Sequence, residues 1–406
     1  MRTVVFVCPF AFEITLRFAA AAADHPATRL VLISQDRPET FPDAFRRKLG
    51  GHLVVDNAFS VQQVADAIRK IAAQTGGIHC LLGTLEQLQE PLAGVREELG
   101  LPGVDVEVAT NFRDKARMKD VLQEAGLPCA RHRRLTSVDE GREFVREVGY
   151  PIVIKPLAGA GSKGTYRVAS DDEFQEVLAV SPPHPRRPVL AEEFMQGEEH
   201  SFDGVMLGGE LVWHSLTHYR PAPLEVVRNP WIQYCVLMPR EVEHPRYDDI
   251  RQAATASVKA LGLRHGVFHM EWFRRPNGEV AISEVGARPG GAQISRLLSW
   301  AHDFSFYAAW AGIMIDGVFE PPPRHFSAGV AFLRGQGEGR VRHIRGLGQA
   351  QRELGHLVVE TNLPKLGQMK ASSYEGEGFV VLRHRETRVV EEALRRLITL
   401  VRIELG

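Results

Sequence analysis

The sequence predicts a mixed α/β and α+β protein with an open parallel sheet first and antiparallel structure after it. Three observations carry that reading. Residues 1–107 alternate short apolar runs with helical stretches, the rhythm of βαβ units and a parallel sheet. Residues 270–285, "MEWFRRPNGEVAISEV", set two apolar runs on either side of an Asn-Gly pair, the strongest short-range hairpin signal. Residues 321–406 carry short strand patterns and a closing helix over 387–403, an α+β tail.

Composition bounds the reading. A chain of 406 residues is long enough for about two to four domains with sizeable cores. A net charge of −1 gives no reason to expect nucleic acid or an anionic membrane as partner. Cys8, Cys80, Cys129 and Cys235 are widely scattered, which suits neither zinc nor a disulfide framework. They read as reduced thiols of a cytoplasmic protein. No run reaches the length of a membrane span. The N-terminal "TVVFV" reads as a first strand, because Glu13 and Arg17 interrupt any secretory pattern.

In the first domain, strands are expected at 3–7, 30–34, 52–55 and 78–83, and helices near 13–23, 61–73 and 87–99. The first turn, "VCPFAFE", lacks the glycine fingerprint of a dinucleotide site. A helix follows over 111–125, capped by Thr110 or Asn111 and ended by Gly126 and Pro128. Lys115 falls on its apolar stripe with Met118, Leu122 and Ala125. It either snorkels outward or points into a cleft towards an anion.

After a helix near 138–148, the strand 150–155 ends in Lys155. A glycine-rich loop follows, Gly159, Gly161 and Gly164 with Ser162 and Lys163 between them, and then a strand at 165–169. Strand, loop, strand is not the Walker arrangement. Such a loop suits a lid whose backbone N–H groups cover phosphates. "VLAEEFMQGEEHSFDGVML" gives a strand, a turn at Gly197 and another strand, and Gly208-Gly209 turns into "ELVWHSLT". Residues 219–231 read as an irregular loop. A helix is expected near 247–261, a helical stretch to about 315, and a linker at 319–326.

The hairpin raises a chemical question. Counting outward from a two-residue type I′ turn at Asn277-Gly278 pairs Phe273 with Ile282, Trp272 with Ser283 and Glu271 with Glu284. Like charges directly opposed on a strand pair are destabilising, and burial worsens the repulsion. A proton, a basic side chain or a divalent cation would relieve it; so would splaying into water, but the flanking residues are too apolar for a wet strand. Oxygen ligands on a rigid hairpin suit Mg²⁺ or Mn²⁺, with nucleotide phosphates completing the shell.

The ordered set of Lys115, Lys155 in "VIKP", "GAGSKG", "AEEF", Glu271, Glu284 and "ARPGG" resembles the ATP-grasp superfamily, and most of all its carboxylate–amine ligases. The resemblance runs over residues 1–320. It implies ATP-grasp architecture: an N-terminal pre-ATP-grasp sheet domain (1–107), a two-subdomain core clasping ATP (108–190 and 191–320) and a small α+β C-terminal domain (321–406). It implies ATP and Mg²⁺ as cofactors. Lys115 and Lys155 match the phosphate-contacting lysines, and 159–164 the lid. Glu192 matches the acid that accepts from the adenine amino group. Glu193, Phe194 and Met195 match the hinge, and Glu199 the ribose-binding acid, favoured over Glu198. Glu271 and Glu284 match the metal pair. Gly286 stands where many members place a further metal-binding Asn. Arg288 keeps the family's arginine, suited to a carboxylate or acyl phosphate.

The implied reaction joins a small carboxylate to an amine through an acyl phosphate, releasing ADP and phosphate. Glu86, at a strand end of the first domain, and Arg220, Arg228 and Trp231, in the 219–231 loop, are the substrate candidates, for amino-acid-like molecules. The alternatives are a purine-pathway-like enzyme acting on a ribonucleotide, a biotin-dependent carboxylase subunit and a non-catalytic ATP-binding protein. A homodimer is the default assembly.

Overall fold

The structure is a computed structural model describing residues 1–159, 164–229 and 231–406. Its first sheet has four parallel strands, in the order Gly51–Val54, Thr28–Ser34, Arg2–Val7, Cys80–Leu82. Arg2–Val7 is an apolar run buried from Thr3 onward, as a central strand covered on both faces must be. The helices Val61–Thr75 and Gln89–Leu99 cover one face. On the other, Phe6 and Phe18 meet Trp310 edge-on at 6.1 and 5.0 Å, which ties this domain to the helix Phe306–Asp316.

The small lobe is a four-stranded antiparallel sheet, ordered His132–Leu135, Val189–Glu193, Ile152–Pro156, Tyr166–Val168. Two helices, Val138–Val148 and Asp171–Val180, cover it. Ser137 and Glu140 form a reciprocal capping box on the first, satisfying two otherwise unpaired N–H groups.

The large sheet has eight antiparallel strands, in the order Val280–Gly286, Gly266–Arg274, Glu198–Leu207, Glu210–Arg220, Tyr234–Met238, Ser327–Leu333, Gly378–His384, Val358–Asn362. It crosses residue 320 unbroken, because Tyr234–Met238 pairs with Ser327–Leu333. Residues beyond 320 extend this sheet and add a cluster of their own under the helix Thr387–Leu400. No helix among the described residues is long and apolar enough to cross a membrane, and the four cysteines are free.

Several local expectations are corrected. The helix expected over 111–125 is two helices, Val106–Arg113 and Lys115–Glu124. The second starts at Asp114, whose carboxylate accepts from the N–H groups of Ala116 and Arg117 at 3.0 and 3.1 Å. That strong N-cap outcompetes Thr110 and Asn111, and Ala125 lies exposed past the helix end. The 219–231 segment is not a plain loop: its first strand runs to Arg220 and Pro223–Arg228 is a short helix, with Pro at a first-turn position that needs no N–H. The closing helix stops at Leu400. Arg402–Leu405 is a strand, in which Ile403 is buried and its neighbours alternate with it, a period of two rather than 3.6.

The hairpin corrects the turn but keeps the key pair. Only Gly278 in the tip has positive φ, at 87°; Pro276 suits a type I bend rather than the mirror-image turn. Arg275 pairs back to Glu279, so three residues form the loop. A bulge then inserts Ser283, so Trp272 faces Ile282 and Phe273 faces Ala281. The tip shift and the bulge cancel, and Glu271 stands opposite Glu284.

Candidate active site

Strand alternation builds the site. On Glu198–Leu207 and Gly266–Arg274, residues Glu199, Ser201, Asp203, His269, Glu271 and Phe273 face one way, towards the small lobe. Phe202, Met206, Phe268, Met270 and Trp272 face the opposite core. The cleft between lobe and sheet is lined by Lys115, Lys155, Gly159, Glu192, Glu193, Phe194, Met195, Glu199, Glu271, Glu284 and Arg288. Eleven of the residues singled out from sequence therefore meet on one surface. Gly164, at φ 70°, re-enters the small lobe beside Pro156; Gly161, Ser162 and Lys163 lie outside the described residues.

Opposite charges are interleaved along this wall. Lys115, the first residue of its helix, reaches Glu284 at 2.6 Å and the Gly159 carbonyl at 3.3 Å. Lys155 reaches Glu192 at 2.5 Å. Burial alone would raise the Glu284 pKa, but Lys115 and Lys155 outweigh it and hold the carboxyl at about 2. Burial likewise opposes ionisation of Glu192, and Lys119 and Lys155 overcome it. Lys155 is raised: burial works against its charge, and Glu192 and Glu284 more than compensate. Glu199 differs, because the pull of Lys155 on it is outweighed. Burial first and Glu271 second push it well above the usual carboxylate range.

Glu271 and Glu284 offer only hard oxygen donors, on paired strands beside two lysines. Among the described residues no group of three or more His, Cys, Asp and Glu side chains could cage a metal by itself. Two carboxylates fit Mg²⁺, which takes its remaining ligands from phosphate oxygens and water. A Cβ at Gly286 would meet nothing closer than Arg288, at 3.5 Å, so the position tolerates the first carbon of a side chain.

The hinge segment offers its backbone. The Glu193 carboxylate is occupied by Arg131 and Arg275, each at 2.9 Å. Phe194 lies under the Arg167 guanidinium at 4.8 Å, and Met195 packs with Ala130 and Ala281. Glu199 is buried in the cleft while Glu198 is exposed.

The substrate candidates divide. Glu86 is 6% exposed and pairs with Arg113 at 3.2 Å and with Arg288. Both oxygens are taken by guanidinium groups, so Glu86 holds Arg288 in place instead of facing open space. Burial disfavours the Arg288 charge, but Glu86 outweighs it and raises the pKa. Arg220 donates to the Tyr219 carbonyl, Arg228 ends a short helix with its side chain exposed, and Trp231 is 62% exposed. None of these three lines the cleft; Tyr219, Pro223, Leu224, Tyr234 and Tyr374 do.

Sequence reasoning missed two of the remaining features, Lys119 and Tyr374; His269, on the strand face of Glu271, reads from sequence as a packed, hydrogen-bonded histidine, and it is one. Lys119, fully buried, lies 3.2 Å from Glu192 and donates to the Ser283 carbonyl at 3.0 Å. Its spacing of four from Lys115 was the available signal. His269 shares 2.8 Å with Asp203 and stands 3.8 Å from Glu271; burial opposes its charge, but Asp203 lifts the pKa to about 9. Tyr374 reaches the cleft from beyond residue 320, which no local pattern indicates.

Two lobes thus face each other across a cleft in which buried lysines stand opposite a carboxylate hairpin, an arrangement chemically suited to a polyphosphate. Residues 148–296 match the family model described as ATP-grasp domain. Among curated proteins it is 28% identical over 256 residues to alanine–anticapsin ligase of Bacillus subtilis strain 168, covering 57% of this chain and 52% of that one. It is 24% identical over 226 residues to an L-arginine-specific L-amino acid ligase of Bacillus subtilis, with 54% of each covered. The chain spans about half the length of these curated relatives. The crystal structure of an L-amino acid ligase from Bacillus licheniformis aligns over 100% of this chain and 99% of that one, with TM-score 0.78 and 18% identity.

Proposed function

We propose that this protein is an ATP- and Mg²⁺-dependent ligase that joins a carboxylate to an amine, with amino-acid-like substrates, through an acyl phosphate. The observation that carries the reading is the single wall on which Lys115, Lys155, Glu271, Glu284 and Arg288 meet. The named activities of the curated relatives agree with it.

A carboxylate acylates poorly because oxide is a poor leaving group. Moving the γ-phosphoryl group of ATP onto it supplies a good one, and that step asks the protein mainly for positioning and charge neutralisation. Lys155 and Lys115 face the phosphates from the small lobe and the adjoining helix. The backbone of Glu193 to Met195 reads the adenine edge, and Glu199 takes the ribose hydroxyls. Glu271 and Glu284 would hold Mg²⁺, which when bound would neutralise phosphate charge. Arg288, fixed by Glu86, steadies the acceptor carboxylate and then the oxyanion formed as the amine attacks. Closure of the small lobe keeps water from the acyl phosphate.

The test is phosphate release from ATP and Mg²⁺ with pooled amino acids and small carboxylates, followed by the mass of the product. Release that depends on one acid–amine pair, with an amide product, is expected. Release of AMP and pyrophosphate would overturn the reading, as would a product only from an amino-bearing ribonucleotide.

A further inference from the structure

We propose that Lys119 is a positioning residue that sets both the free charge on Lys155 and the placement of the Glu284 strand. This rests on the reading of the cleft as an ATP site. Lys119 is 0% exposed, a burial that lysine tolerates only when paired. Its ammonium reaches two elements at once. One is Glu192 of the small lobe, at 3.2 Å. The other is the carbonyl of Ser283 in the large sheet, at 3.0 Å.

The Ser283 contact falls at the bulge. Ser283 is the residue left over in the ladder between the Glu271–Glu284 and Trp272–Ile282 pairs, and a bulged residue is left without its ladder partner. A part-buried carbonyl there favours a donor, and Lys119 supplies one. The same bulge places Glu284 opposite Glu271. Lys119 therefore pins the register of the carboxylate pair.

The Glu192 contact concerns charge. Glu192 sets one oxygen 2.5 Å from Lys155 and the other at ion-pair distance, 3.2 Å, from Lys119. Three groups carry a net charge of +1, and Lys155 is the member with Glu284 as a further neighbour and the cleft in front of it. With Lys119 removed, Lys155 and Glu192 become a neutral pair, and Lys155 offers polyphosphate far less attraction.

Calorimetric binding of Mg²⁺-ATP and of adenosine to the full chain tests this. Lys119→Met should weaken ATP binding by about tenfold or more and adenosine by less than about threefold. Lys119→Arg should stay within about threefold of wild type for both. Adding Glu192→Gln to Lys119→Met should recover part of the ATP affinity, because the acid that claims Lys155 is gone. If Lys119→Met does not fold, Lys119→Gln, which removes the charge and keeps a donor for Ser283, takes its place with the same expected ratio. Equal losses for ATP and adenosine with no recovery in the double variant, or unchanged ATP binding, would overturn the inference alone. Wild-type protein that binds no ATP would overturn it together with the reading beneath it.

Discussion

The two faces of the Glu198–Leu207 and Gly266–Arg274 strands obey opposite rules. The back face holds Phe202, Met206, Phe268, Met270 and Trp272 in an apolar core. Its buried histidines are neutral: His200 and His218 share 2.7 Å, and burial, with His218 against His200 and nearby arginines against both, pushes their pKa values down to about 2 and about 3. The cleft face buries charge instead. Around that face, Glu192 of the small lobe and Glu284 of the neighbouring strand have their pKa values lowered by lysines, while on the face itself burial and Glu271 raise that of Glu199 over the pull of Lys155. The difference is one residue of register, since neighbours on a strand point to opposite faces. One face contributes stability. The other concentrates charge that, on the proposed function, a polyphosphate and a divalent cation would complete.

That contrast can be broken most sharply with one substitution on each face. Glu271→Gln should lower phosphate release by about 100-fold or more while the thermal midpoint stays level or rises, because a carboxylate crowded by Glu199 and Glu284 is neutralised. A clear fall in midpoint would mean Glu271 serves the fold. Trp272→Ala, next door and 1% exposed, should cost about 3–5 kcal/mol of stability by denaturant titration. A loss below about 1 kcal/mol would contradict the packing described.

The histidines sharpen the comparison with pH. Unfolded histidine titrates near pH ~6.5, far above the folded values of about 2 and about 3. The unfolded state then binds more protons, so stability is full above that pH and falls below it, by about 1.4 kcal/mol per unit for each histidine. His200→Gln should flatten the slope between about pH 6 and 4, and an unchanged slope would reassign it to other groups.

Two smaller effects test the margins of the cleft. Gly286→Asn adds an oxygen donor at a position whose Cβ meets nothing closer than 3.5 Å, and should reduce the Mg²⁺ needed for half-maximal activity by about two- to fivefold. No change would place position 286 outside the metal's reach. Arg228→Ala, whose side chain is exposed and outside the cleft, should leave KM and kcat within about twofold; a larger rise in KM would return the 219–231 segment to the substrate site.

Much of this was legible in the sequence where the signal is local. Apolar runs separated by helices gave the parallel sheet, and the Asn-Gly hairpin placed Glu271 opposite Glu284 even though the turn was of another type and a bulge restored the count. Lys155 and Arg288 sit beside proline and glycine punctuation that marks strand ends. What was missed depends on long-range competition. The Asp114 cap displaced a helix start by a few residues, and period-two Val401 and Ile403 were absorbed into the closing helix. Glu86 reads as a ligand group because nothing local reveals that Arg113 and Arg288 converge on it. Lys119 reads as an ordinary surface lysine until the small lobe and the bulge at Ser283 close around it.

The most direct measurement follows oxygen. With the substrate pair found from pooled assays, the acid would be supplied with ¹⁸O in its carboxylate and the released phosphate examined by mass spectrometry. Phosphoryl transfer onto the carboxylate predicts one labelled oxygen in inorganic phosphate, lost together with turnover in Glu284→Gln. Label in AMP, or amide formed with none in phosphate, would contradict the account of the cleft.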